Sequence, residues 1–273
     1  MHETSNLSGI TRPIPSRTLP VIGVICAIAV TTTLDATGLG TFSALALAPL
    51  LFLFWYLSHL SRVQVGFRLG RWSDYGLALL YPIAVMGAIA VIAYFAGAID
   101  TTHTNWHKAQ QNLAIMTIST FLVAIVTEEG FFRGWLWGSL RSSGMRQTSV
   151  LVWTSVAFAL WHISAITLDA DFKPSAPQIP IFLINAAVMG AVWGLLRALS
   201  GSLIVASLSH GLWNGIAYVF FGFGVKTGAL GITRTAIFGP EIGLLGLGLN
   251  LIFAYLLWRW LIAREPIAEE SRS

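Results

Sequence analysis

Residues 76–97, GLALLYPIAVMGAIAVIAYFAG, run for 22 positions without one charged side chain. At 1.5 Å per residue a helix of that length crosses the roughly 30 Å hydrocarbon core of a bilayer, with every backbone polar group satisfied internally. Seven further apolar runs accompany it, at about 19–34, 41–60, 113–140, 148–166, 179–196, 201–223 and 241–262. The runs are continuous rather than alternating, which argues against a β-barrel. Charged residues make up 10% of the chain, against about 25% in soluble domains. These features predict an all-α polytopic membrane protein, a bundle of about eight transmembrane helices.

The net charge of +4 does not indicate nucleic acid, because the basic residues sit singly at the ends of apolar runs. Such placement sets topology. With the N-terminus in the cytoplasm, Arg12, Arg17, Arg62, Arg68, Arg71, Arg141, Arg146, Arg197, Arg259, Arg264 and Arg272 fall on the inner side, and only Lys108, Lys173, Lys226 and Arg234 on the outer. The asymmetry predicts both termini cytoplasmic: a tail over 1–18, a single transmembrane domain over 19–263, and a tail over 264–273. No small-residue cleavage site follows the first apolar run, which is read as a retained span. Cys26, the one cysteine, forms no intrachain disulfide.

Residues 121–140, FLVAIVTEEGFFRGWLWGSL, set two glutamates and an arginine deep in an apolar run. An ionised residue at a membrane helix centre costs about 2.5–3.5 kcal/mol, so each needs a partner or a function. On a helix Glu129 and Arg133 are i,i+4 neighbours and pair, whereas Glu128 points about 100° away. Counted from the cytoplasmic ends of their helices, Glu128, His162, His210 and Asn214 all fall about 14–21 Å deep. Three helices thus bring a carboxylate, two imidazoles and an amide to one level. Phe158 and His162, in FALWH, share a helix face, so the ring packs against the imidazole; His210 and Asn214, in HGLWN, do likewise. Gly190 and Gly194 form a small-residue pair suited to close helix packing.

A carboxylate beside an imidazole activates water, and an imidazole with an amide donates hydrogen bonds to an oxyanion. Those are the parts needed to hydrolyse an amide without a covalent intermediate. Ser207 and Ser209 are weak nucleophile candidates, since no G-x-S-x-G elbow surrounds them. A metal-free site is the preferred reading. Zn²⁺ held by Glu128, His162 and His210 is the alternative, although no H-E-x-x-H is present.

EEGFFRG at 128–134 resembles the E-E-x-x-x-R motif of the CAAX-protease and bacteriocin-processing (CPBP, or Abi) family. FALWH at 158–162 is similar to its F-x-x-x-H motif, and HGLWN at 210–214 to its H-x-x-x-N motif. The resemblance covers about 120–217 and implies an eight-helix glutamic intramembrane endopeptidase related to the enzyme that trims prenylated CAAX proteins. It implies that Glu128 acts with His162 on water, that His210 and Asn214 form the oxyanion site, and that Glu129 and Arg133 support the cavity. The implied partners are a membrane-associated protein or peptide and the lipid bilayer, in a bacterial inner membrane. A CAAX substrate does not follow from the motifs. Two other classes stay open: a non-catalytic membrane scaffold or binding protein, and a proton-coupled transporter, for which no inverted repeat or paired broken helices are evident.

Overall fold

Every apolar run becomes a helix in the computed structural model, which describes residues 17–169, 172 and 174–264. The eight spans are Thr18–Ala36, Gly40–Ser58, Trp72–Phe95, Trp106–Ser142, Gln147–Leu168, Gln178–Ser200, Leu203–Phe221 and Leu244–Arg264. The architecture is the expected eight-helix bundle. The terminal tails fall almost wholly at 1–16 and 265–273, which, with Lys173, lie outside the described residues. The Gly-rich segment after the seventh span contains a two-stranded hairpin, Gly222–Phe223 against Lys226–Thr227, and a helical turn, Thr235–Phe238.

The bundle is built around its sixth and seventh spans. More than half of the apolar stretch of each is buried, 56% and 61%, against 22% in the second, fourth and eighth. Peripheral helices turn Phe52, Leu80, Ile118 and Leu251 outward, where lipid tails take the place of a protein core. The interior is aromatic, with Tyr81, Phe131, Phe132, Trp135, Trp193 and Trp213 all fully buried. Large rigid rings leave few voids and offer faces and edges to polar neighbours.

The fourth span departs from the continuous helix its sequence suggests. Helix Trp106–Val126 ends at Thr127, whose φ of −117° and ψ of −108° break the ladder. The chain then continues as a π-helical stretch, Gly130–Leu136, and a final α-helical turn, Trp137–Ser142. π-Helical insertions of this kind concentrate at functional sites. Gly130 is required by the break: a Cβ there would stand 2.3 Å from the carbonyl oxygen of Ile125. Glu128 and Glu129 consequently begin a new helical run, where the helix dipole favours negative charge.

Arg197, one of the charges marking a helix end in the sequence, is 7% exposed. Its Nε donates to the Arg133 carbonyl at 3.3 Å and its Nη2 to the Gln64 carbonyl at 3.2 Å. It therefore ties the loop after the second span to the π-helical stretch. That loop is itself ordered by a short helix, Arg62–Val65, which Ser61 and Gln64 cap reciprocally.

Candidate active site

Glu129 is fully buried, and Arg133 Nη1 donates to its Oε1 at 3.2 Å, the i,i+4 pair expected from the spacing. The same oxygen also meets His210 Nδ1 at 3.0 Å, a contact between the fourth and seventh spans that no local pattern announces. The rest of the guanidinium is surrounded by rings, with its carbon 4.2 Å from the centroid of Phe158 and 5.6 Å from that of Trp193. These faces partly replace water around a cation in an apolar interior. Gly190 leaves the space, since a Cβ would come within 2.8 Å of Arg133 Nη2. The small-residue pair expected to serve helix packing does so, with Gly190 seating an arginine as well.

His210 is held on two sides. Its ring stacks on Trp193 at 3.9 Å with planes 9° apart, and Glu129 fixes Nδ1. A carboxylate oxygen only accepts, so Nδ1 carries the proton and Nε2 is the free position. That nitrogen lies 3.9 Å from Glu128 Oε2. The Glu128 side chain keeps 16% exposure although its run is otherwise enclosed.

His162 sits where the fifth span tightens. Its backbone N–H bonds to the Ala159 carbonyl at 3.1 Å instead of to residue 158. The Phe158 carbonyl thereby left over accepts from the imidazole Nδ1 at 2.8 Å. Nδ1 is again the protonated nitrogen, and Nε2 is free to accept. The Phe158 ring meets the imidazole edge-on, with centroids 4.5 Å apart. Trp161 anchors this turn to the first span through its indole N–H on Thr31 Oγ1 at 2.6 Å.

Glu128, His162, His210 and Asn214 all line one cavity of about 170 Å³. Phe158 also lines it, while Glu129 and Arg133 sit behind the wall. Ser207 bonds to the Leu203 carbonyl, and neither it nor Ser209 reaches the cavity. A larger cavity of about 870 Å³ lies toward the start of the fourth span, lined by Asp100, His103, Lys108 and Asn112. It holds none of the motif residues but shares Tyr218 and Phe223 with the smaller one. Among the described residues no three His, Cys, Asp or Glu side chains converge on a point that would hold a metal ion.

The sequence reading did not include Asp35, Asp169, Tyr218 or Glu241, which line the same cavity. Glu241 precedes the eighth span, and its Oε1 accepts from the Trp213 indole N–H at 3.1 Å. Burial pushes its carboxyl above the ordinary glutamate value, with the Trp213 bond working the other way. The only signal in the sequence was a single carboxylate at the head of an apolar run, indistinguishable from a solvated loop residue.

The fold and this cavity define an integral membrane protein with a polar chamber enclosed by its helices. The family model described as Type II CAAX prenyl endopeptidase Rce1-like matches residues 110–216, the segment that carries the three motifs. No curated protein matches the chain.

Proposed function

We propose that the protein is an intramembrane endopeptidase that hydrolyses a peptide bond of a membrane-associated protein or peptide, lipidated or not, with water activated by Glu128 and His162. The observation that carries this reading is the convergence of Glu128, His162, His210 and Asn214, from three spans, on one small cavity. The Rce1-like match over the same segment supports a protease of the CAAX type. We place it in a bacterial inner membrane, on its compactness and on the family resemblance.

In this mechanism Glu128 accepts a proton as the water oxygen attacks the scissile carbonyl carbon. His162, with its Nδ1–H spent on Phe158, offers Nε2 as a second acceptor for that water. The carbonyl oxygen becomes an oxyanion and takes hydrogen bonds from the Asn214 amide and from His210. Since His210 already donates from Nδ1 to Glu129, donation from Nε2 requires the doubly protonated ring, which Glu129 and Glu128 flank on its two nitrogens. Collapse of the tetrahedral intermediate returns the proton from Glu128 to the leaving amine. Glu129 and Arg133 hold His210 in register without touching substrate. Zn²⁺ chemistry at Glu128, His162 and His210 is the alternative, distinguished by the chelation experiment below.

The direct test is purified protein with a fluorogenic peptide library, run beside Glu128→Ala. Cleavage by the first and none by the second is expected. The absence of any cleavage by the unmodified protein, across peptides presented in detergent and in liposomes, would favour the scaffold reading.

A further inference from the structure

The carboxylate of Glu241 is held in place by a closed circuit of buried groups from four spans. Tyr81 of the third span donates to Asn250 Oδ1 of the eighth at 2.8 Å. Asn250 Nδ2 donates to Asn185 Oδ1 of the sixth at 2.8 Å. Asn185 Nδ2 in turn donates to the backbone carbonyls of Pro240 and Glu241, at 2.9 and 3.0 Å. Trp213 of the seventh span closes the circuit, bonding to the Glu241 carboxylate while its ring stacks on Tyr81 at 5.2 Å. Tyr81, Asn185, Trp213 and Asn250 are all 0% exposed. Buried amides are costly unless fully bonded, so a circuit of this kind over-determines the position of what it holds. What it holds is one more carboxylate facing the cavity, and it lies outside the segment matched to the family.

The charge of the cavity shows what that carboxylate would receive. Among the described residues its wall carries Asp35, Glu128, Asp169 and Glu241, and neither lysine nor arginine. Arg133 is spent on Glu129 behind His210. Asp35 is 3% exposed, and although its Oδ1 accepts from Ser43 at 2.6 Å, its Oδ2 has no hydrogen-bond partner among the described residues. An unpaired buried carboxylate oxygen on the wall of an acidic chamber calls for a hydrogen-bond donor, and a lysine or arginine side chain supplies donors together with the opposite charge.

We propose that Glu241 is a specificity-determining residue, and that it receives a lysine or arginine side chain of the peptide beside the scissile bond. The proposal rests on the peptidase reading for the term "scissile" but not for the binding itself. Glu128 is committed to water and Glu129 to Arg133 and His210; of the other carboxylates on the wall, Glu241 is chosen because the Tyr81, Asn250, Asn185 and Trp213 circuit fixes its position. Its Trp213 bond uses Oε1 alone.

Binding to the Glu128→Gln protein tests this without requiring turnover. A neutral apolar peptide carries a single lysine, moved one position at a time, and each is compared with its glutamine counterpart. At one register the lysine peptide should bind on the order of tenfold tighter, as close charge pairs at interfaces do. Adding Glu241→Gln, which keeps an acceptor for Trp213, should abolish the difference while leaving the glutamine peptide's affinity unchanged; Glu241→Asp should retain part of it. Equal binding of lysine and glutamine peptides at every register would overturn the proposal, as would a lysine preference that survives Glu241→Gln. Cleavage of the same peptides by the unmodified protein separately reads the peptidase assignment, so the two ideas fail independently.

Discussion

His210 Nδ1 lies 3.0 Å from Glu129 Oε1, so the second glutamate of the pair, and not the first, orients the imidazole. Glu129 therefore serves Arg133 and His210 through one oxygen, while Glu128 is left to face the cavity. The two adjacent glutamates are divided between support and chemistry by the direction in which each leaves the helix.

The consequence for mutagenesis is an asymmetric pair. Glu128→Gln should fold normally and hydrolyse nothing, because it loses the base and keeps the shape. Glu129→Gln should lose about 3–5 kcal/mol of stability, the usual cost of breaking a buried ion pair, and should also lose turnover as His210 is released. Denaturant unfolding and peptide hydrolysis measure both. Full hydrolysis by Glu128→Gln protein would sink the assignment.

Gly130 gives a prediction about the break itself. Gly130→Ala drives a Cβ against the Ile125 carbonyl and should cost about 1–3 kcal/mol, as overpacking does. An unchanged unfolding midpoint would mean that the chain does not need the break at Thr127.

Topology is testable without enzymology. Single cysteines replacing Arg71 and Arg146 should label from the cytoplasm, and those replacing Lys108 and Lys226 from the outer side. Labelling at position 226 from the cytoplasm would remove the inside-positive orientation on which the placement of both termini rests.

Acid–base and metal chemistry separate cleanly. With water activated by Glu128 and His162, chelation and dialysis should leave activity intact, and Asn214→Ala should slow turnover about 10²–10³-fold, the usual loss of one oxyanion donor. One tightly held zinc per chain, removed with activity and restored with it, would instead require the roles of Glu128, His162 and His210 to be rewritten.

The lysine preference should also depend on pH. Only the ionised Glu241 attracts a cation, and burial raises its carboxyl above the ordinary value. On acidification the preference should therefore fade at a pH above that at which an exposed glutamate protonates. Asp35, Glu128, His162, Asp169, His210 and Tyr218 share its cavity, so the measurement belongs in the Glu128→Gln background and is read as the difference that Glu241→Gln removes. A preference that is constant down to the ordinary glutamate range would show that Glu241 is not the group involved.

The eight spans were legible in the sequence, because bilayer thickness fixes helix length, and so was the grouping of Glu128, His162, His210 and Asn214, which line one cavity. The Glu129–Arg133 pair was legible for the same reason, since i,i+4 is a local relation. The angles between helices are not local. Which imidazole meets which carboxylate depends on how the sixth span lays Trp193 and Gly190 against the fourth and seventh, and sequence spacing carries no term for that. The break at Thr127 was hidden because its cause is a backbone contact at Gly130, in a run whose apolar character alone reads as continuous helix. Glu241 was invisible because Tyr81, Asn185, Trp213 and Asn250 are scattered over 170 residues and converge only when four helices pack. Sequence determined the helices and the positions of polar groups along them; packing decided which of those groups face one another.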